Sequence, residues 1–265
     1  MSGQLEGRVA VVTGGGSGIG RAICLEMAKE GANIVIASLV AEEAEHVAAE
    51  VRAHGTQALT APLDVTDINA INKLAETTDR VFGKTDILVT SAGVMGAREF
   101  ITETTPEQWR LTMEVNLNAG FYCIKAFLPG MLARNAGRII MISSMSGKQP
   151  AARNADYAAS KHGVIGLTKA LALELGILKK NGITANAICP GSVETAMMDE
   201  ITDKMLERLD ETRESFNRKY VASKNLQQRL LDPEEIAHMA VYLASDRARG
   251  ITGQAVNVCA GSVLF

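Results

Sequence analysis

The sequence predicts a doubly wound α/β domain, with helices covering both faces of a seven-stranded parallel sheet. Three observations carry this reading. Short β-branched runs alternate with helix-like stretches from one end of the 265-residue chain to the other. Several of those runs are apolar at every position, the pattern of strands buried under helices on both sides. No internal repeat, low-complexity tract or Pro/Gly/Ser linker cuts the chain, so residues 1–265 read as a single domain, and a hydrophobic content of 47% is enough for a large core.

The strands expected are 9–13, 33–37, 58–63, 87–90, 138–142, 184–189 and 255–258, and the helices 18–29, 41–54, 68–82, 106–132, 156–178 and 233–244. Several helices open on an acidic residue or a proline, as helix starts do. One stretch breaks the rhythm. Residues 194–231 are long, charged and rich in Met and Arg, and they fall between the sixth and seventh strands. A helical lid over a substrate site is one reading, and a solvated surface insertion is the other.

Composition narrows the partners. A net charge of -3 with scattered ionic residues gives no basic stripe to follow a nucleic-acid backbone. Residues 1–7 hold no apolar run, and no later stretch approaches the ~18 apolar residues of a membrane span, so the expectation is a soluble, cytoplasmic chain without a membrane partner. Cys24, Cys123, Cys189 and Cys259 lie far apart in apolar settings and read as buried free thiols. His46, His54, His162 and His238 form no ligand pattern, and no catalytic metal is expected.

In a doubly wound sheet, ligands bind at the carboxyl ends of the strands. The first strand ends in Thr13-Gly14-Gly15-Gly16-Ser17-Gly18-Ile19-Gly20 and runs straight into a helix. Glycines there let the backbone turn tightly and approach a pyrophosphate, while free N–H groups at the helix start meet its charge. Downstream, Tyr157 and Lys161 stand one helical turn apart. A phenol titrates near pH ~10, and a nearby cation favours its ionised form. Bringing it to neutrality takes on the order of 4 kcal/mol, which a buried ammonium together with a positive nicotinamide ring could supply. A phosphate cradle beside such a proton-transfer couple points to nicotinamide-dependent redox chemistry.

The spacing of Gly14, Gly18 and Gly20 differs from the Gly-x-Gly-x-x-Gly of ordinary dinucleotide folds. Together with Asp64-Val65, Ser91-Ala92-Gly93, Asn116, Ser144, Tyr157, Lys161 and Pro190-Gly191, it resembles the short-chain dehydrogenase/reductase family, in order and over nearly the whole chain. The resemblance implies a single-domain Rossmann fold. It implies that Thr13, Gly14, Gly16, Ser17, Gly18, Ile19 and Gly20 hold the pyrophosphate, and that Asp64, beside Val65, hydrogen-bonds the adenine amino group. The backbone of Ser91, Ala92 and Gly93 would line the adenosine ribose, and Lys161 would hold the nicotinamide ribose. Val193 and Thr195, after Pro190 and Gly191, would contact the carboxamide and a nearby phosphate. Tyr157 would exchange the proton, Ser144 would bind the reacting oxygen ahead of its neighbour Ser143, and Asn116 would bend its helix and hold water leading from Lys161 to solvent. An Asn in a helix interior is unfavourable in itself, which is independent reason to suspect it.

Two departures stand out. The usual Asn-Asn-Ala-Gly is Thr90-Ser91-Ala92-Gly93, so hydroxyls must replace amide ties at the sheet edge. At the end of the second strand, where an Asp would mark NAD and an Arg the 2′-phosphate of NADP, stand Ser38 and Leu39. Gly15 and Gly16 also bring no basic residue. A 2′-phosphate needs a cation, so the reading is NAD, with NADP the alternative.

Ser146, Lys148, Arg153 and Asn154, just before Tyr157, are polar enough to meet a phosphate, carboxylate or hydroxyl, although an exposed loop explains them equally. The tail, ending Ser262-Val263-Leu264-Phe265, resembles the polyol and sugar-alcohol dehydrogenases of the family, including those acting on sorbitol 6-phosphate. The expected reaction is therefore oxidation of a secondary hydroxyl of a small polyol, sugar phosphate or hydroxy acid. The stretches 161–164 and 182–191 also resemble 3-hydroxybutyrate dehydrogenases, a 3-oxoacyl reductase is a further alternative, and a silent cofactor-sensing protein is the alternative outside enzymology. The resemblance implies a homotetramer, and the apolar helices 106–132 and 156–178 with an exposed 263–265 tail offer surfaces for it.

Overall fold

Seven parallel strands form one sheet in the order β3-β2-β1-β4-β5-β6-β7 in the computed structural model, which describes residues 3–207, 209 and 211–265. They are β1 Val9–Thr13, β2 Asn33–Ser38, β3 Ala58–Pro62, β4 Ile87–Thr90, β5 Gly137–Ile142, β6 Ile183–Pro190 and β7 Ala255–Val258. The helices are α1 Gly18–Lys29, α2 Ala41–Ala53, α3 Ile68–Phe82, α4 Pro106–Met113, α5 Ala119–Arg134, α6 Ala155–Ile177, α7 Ala196–Leu206, α8 Arg213–Phe216 and α9 Pro233–Ala244. The expected seven-stranded, doubly wound sheet is thus present. Strand order reverses between β1 and β4, and the crevice of such a sheet opens at that switch point.

The all-apolar strands are explained by the two layers that cover them. Ala10 and Val12 of β1 face one core with α1, α2 and α9, whereas Val9 and Val11 face the other with α3, α5 and α6. Each fully buried Val, Leu or Ile contributes about 1.5–3 kcal/mol relative to exposure, so a strand with no polar face is held from both sides. Helix starts follow their sequence signals. Asp67 accepts from Asn69 N and Ala70 N at the head of α3, and Thr105 with Gln108 and Asp232 with Glu235 form reciprocal caps before Pro106 and Pro233.

The expected helix 106–132 differs in one respect. It is α4, then a π turn at Glu114–Asn118, then α5. The wider turn carries Asn116 toward the sheet, where its side chain is buried. The rhythm-breaking segment begins and ends at one place, because Val193 and Leu231 form a bridge, with Glu194 N donating to Leu231 O at 2.9 Å. Between these points, α7, α8 and the turns after them form an excursion over the carboxyl end of the sheet. Val263 is buried, unlike the exposed Leu264 and Phe265, so only the last two tail residues are open. No described helix is long and apolar enough to cross a membrane.

Candidate active site

Backbone geometry builds the glycine loop. Gly14 has φ +66, and a Cβ there would lie 2.8 Å from the Ala92 backbone; a Cβ at Gly20 would lie 2.0 Å from Gly14 O. Both positions therefore exclude a side chain, and the loop closes against the β4 turn and the start of α1. Thr13, buried at the end of β1, uses its hydroxyl to accept from Ser91 N (3.2 Å) and Ala92 N (3.4 Å). This hydroxyl ties the sheet edge where side-chain amides were missed. Ser17 caps α1 without a side-chain bond to its N–H groups. The helix start is therefore left to a ligand, and an anion fits it.

Beside the loop lies a cavity of about 460 Å³. Of the residues expected to hold a dinucleotide, Gly14, Ser17, Gly18, Ile19, Gly20, Ser91, Ala92, Gly93, Tyr157, Lys161, Pro190, Gly191, Val193 and Thr195 line it. Thr13, Gly16, Ser38, Leu39, Asp64 and Val65 lie outside that wall. Asp64 accepts from Thr66 N and Thr66 Oγ1, which holds its carboxyl below the usual range. Ser38 is buried and Leu39 is 74% exposed. The side-chain-free cradle at a helix start, running into a cavity of this size, fits a nicotinamide dinucleotide.

Of the four expected reacting and positioning residues, Ser144, Tyr157 and Lys161 line that cavity, and Asn116 does not. Ser144 follows β5, and Tyr157 and Lys161 share one face of α6. Ser143 spends its hydroxyl on Lys161 O at 2.8 Å, whereas Ser144 faces Tyr157. Lys161 Nζ donates to Ile142 O at 3.0 Å and lies 5.6 Å from the centre of the Tyr157 ring. Burial pushes its pKa from the ordinary 10.5 down to about 8. Asn116 donates to Val94 O (2.9 Å) and Ser160 Oγ (3.3 Å) and accepts from Val94 N (2.8 Å). Both of its amide hydrogens are used, and its side chain ties the Gly93-Val94 turn to α6.

Burial raises the Tyr157 phenol pKa, and the Ser144 hydroxyl and the charge on Arg98 lower it. Arg98 is the residue sequence reasoning missed. Its guanidinium carbon lies 5.7 Å from the Tyr157 ring centre, and it lines the same cavity. It has φ +60 in a loop that Asp156 pins, since Asp156 Oδ2 accepts from Ala97 N and Thr112 Oγ1, each at 2.8 Å. No local motif announces this, because the contact joins residues 59 positions apart.

The four polar positions before Tyr157 separate. Ser146 and Asn154 are buried, line the cavity and are joined by a 3.4 Å bond. The other oxygen of that pair of side chains, Asn154 Oδ1, is buried without a partner. Arg153 lines the cavity edge and stacks on Phe100 at 4.1 Å. Lys148 does not line the cavity. It donates to Phe265 O at 2.8 Å and so belongs to the tail, which removes it from the expected substrate residues. From the excursion after β6 come Met197, Met198, Ile201, Met205 and Phe216, an apolar share of the lining. The cysteines are buried free thiols, and among the described residues no cluster of His, Cys, Asp or Glu could hold a metal.

Comparison with known proteins gives this geometry its relatives. A crystal structure of an actinorhodin polyketide ketoreductase variant with NADPH superposes with a TM-score of 0.93 at 36% identity, covering 100% of both chains. Carveol dehydrogenase from Mycobacterium avium in complex with NAD gives 0.92 at 28% identity over 98% of this chain and 99% of that one. D-beta-hydroxybutyrate dehydrogenase of Cupriavidus necator is 32% identical over 98% of this chain and 99% of its own. These similarities extend end to end. Since the model of the short chain dehydrogenase family also matches residues 8–206, from the first strand through the wall of the cavity, the chain belongs to that family and is an NAD(P)-dependent oxidoreductase of alcohol and ketone substrates.

Proposed function

We propose that Tyr157 exchanges the proton with the substrate oxygen, that Ser144 binds that oxygen, and that Lys161 and Arg98 bias the phenol toward its ionised form. The observation that supports this most directly is the convergence of the Ser144 and Tyr157 side chains on one cavity with Lys161 and the glycine cradle. A bound nicotinamide supplies the hydride acceptor in alcohol oxidation and the donor in ketone reduction. In oxidation Tyr157 takes the proton from the alcohol oxygen, and in reduction it returns one to the carbonyl oxygen. Ser144 donates to that oxygen as its charge develops. Residues 194–231 serve as the lid of this site.

We further propose a hydroxyacyl or oxoacyl substrate, the alternative to a polyol. Met197, Met198, Ile201, Met205 and Phe216 would strip water from polyol hydroxyls without replacing its hydrogen bonds, a costly exchange that an acyl chain avoids. Arg98 and Arg153 stand on the same cavity for a charged end group, and Asn154 Oδ1 for a donor. The test is turnover of polyols, hydroxy acids and 3-oxoacyl thioesters with NAD(H) and NADP(H). Turnover confined to polyols would reject the acyl reading, and cofactor binding with no turnover of any substrate would favour a silent sensor. Trp109, Leu111, Phe121, Leu173, Ile177 and Leu178 are exposed apolar residues on α4, α5 and around the end of α6, and they suit assembly into a homotetramer, which sedimentation would measure.

A further inference from the structure

The fold accommodates both nicotinamide cofactors, and the end of β2 carries neither of the usual discriminating side chains. We propose that Glu43, on the first turn of α2, takes over this role and makes the protein selective for the dinucleotide whose adenosine ribose bears a free 2′-hydroxyl. The proposal rests on the reading that the glycine loop holds such a dinucleotide.

Placement is the main argument. Only two residues separate β2 from α2, so the first turn of α2 folds back over the glycine loop. Side chains on a helix tilt toward its N-terminus, which sends the third residue of α2 toward that loop. A Cβ built on Gly16 would lie 2.6 Å from Ser38 Oγ, 3.0 Å from Glu43 Cβ and 3.1 Å from Glu43 Oε2. Gly16, the Ser38 hydroxyl and the Glu43 side chain are therefore packed against one another with no room for a side chain at Gly16, which sets the Glu43 carboxylate beside the carboxyl end of β2, where the fold directs the adenosine ribose.

Chemistry then separates the two ligands. A ribose diol offers two O–H donors, and one carboxylate can accept both. A 2′-phosphate offers only acceptors and negative charge, and it would face an uncompensated carboxylate. The local basic residue is already committed, because Arg21 on the first turn of α1 pairs with both oxygens of Glu50, at 3.2 and 2.6 Å. Leu39 brings no charge. Glu43 is exposed, so substitution there tests the ligand rather than the core.

Titration of the cofactor-free protein with NADH and NADPH, followed by calorimetry or nucleotide fluorescence, tests this without any substrate. Wild type should bind NADH at least about tenfold more tightly than NADPH, as loss of a charged hydrogen bond and gain of repulsion together require. Glu43→Gln should weaken NADH by about three- to tenfold and narrow the preference, while Leu39→Arg combined with Glu43→Gln should invert it. Equal affinities in wild type, or a preference unchanged in Glu43→Gln, would overturn the role of Glu43 while leaving the cofactor site standing. Failure of wild type to bind either nucleotide would instead overturn the glycine-loop reading and this proposal with it.

Discussion

The guanidinium carbon of Arg98 stands 5.7 Å from the centre of the Tyr157 ring, and the ammonium of Lys161 stands 5.6 Å from it, so the phenol is within reach of two cations. Burial raises its pKa, and Ser144 and Arg98 oppose that rise. Arg98→Met removes one opposing charge, and the phenol pKa must then rise further. Alcohol oxidation requires the ionised phenol, so the rising limb of kcat/KM against pH should move to higher pH in Arg98→Met and return toward wild type in Arg98→Lys. A limb that stays in place would assign Arg98 to substrate binding alone, visible as a raised KM for acidic substrates.

Removing the phenol oxygen separates chemistry from binding. Tyr157→Phe should lower kcat by about 10²–10⁴-fold, the range lost with a positioned proton donor, while NADH affinity measured by titration stays near wild type. Ser144→Ala should cost about 10²–10³-fold in kcat, as loss of one donor to a developing oxyanion does. Wild-type turnover in either variant would reject the assignment of that residue.

Asp156 acts through the loop it holds. It is 1% exposed and accepts from Ala97 N and Thr112 Oγ1. Asp156→Ala would leave both donors unpaired in the interior, at about 2–4 kcal/mol of stability, measurable by urea unfolding. Arg98 is the next residue after Ala97, so activity should fall beyond the loss of folded protein. The rising limb should also move in the direction expected for Arg98→Met. A stability loss with an unmoved limb would make Asp156 a purely structural residue.

The features legible in the sequence are those with a local or periodic cause. The central strands showed themselves because both of their faces are covered, as for Val9 to Val12, and the glycine loop because Gly14 and Gly20 have no room for a side chain. Tyr157 and Lys161 are one helical turn apart, so helix geometry alone brings them together. Arg98 was hidden because a loop and α6 must first pack before its charge meets Tyr157. Glu43 was hidden because the expected determinant belongs to β2 and the carboxylate arrives from α2. Lys148 misled in the opposite sense, since nothing near it in sequence reveals that Phe265 returns to meet it. Asn116 signalled the irregular turn correctly, but its hydrogen-bond partners depend on Val94, 22 residues away.

Lys161 should prove more costly to the fold than a methionine in its place. It is 4% exposed, and burial brings its pKa from 10.5 to about 8. Between those two pH values the unfolded chain binds more protons than the folded protein, so stability rises with pH across the window. Below about pH 8 the buried ammonium costs the fold ~3 kcal/mol, from the difference between the two pKa values. Its bond to Ile142 O returns about 1 kcal/mol of that. Lys161→Met should therefore melt at a higher temperature than wild type at pH 7 in the cofactor-free protein, with the advantage shrinking toward pH 10, and it should be inactive. A variant less stable than wild type at pH 7 would show that the cavity solvates this ammonium well, and Lys161 would then be an ordinary charged lysine at neutral pH.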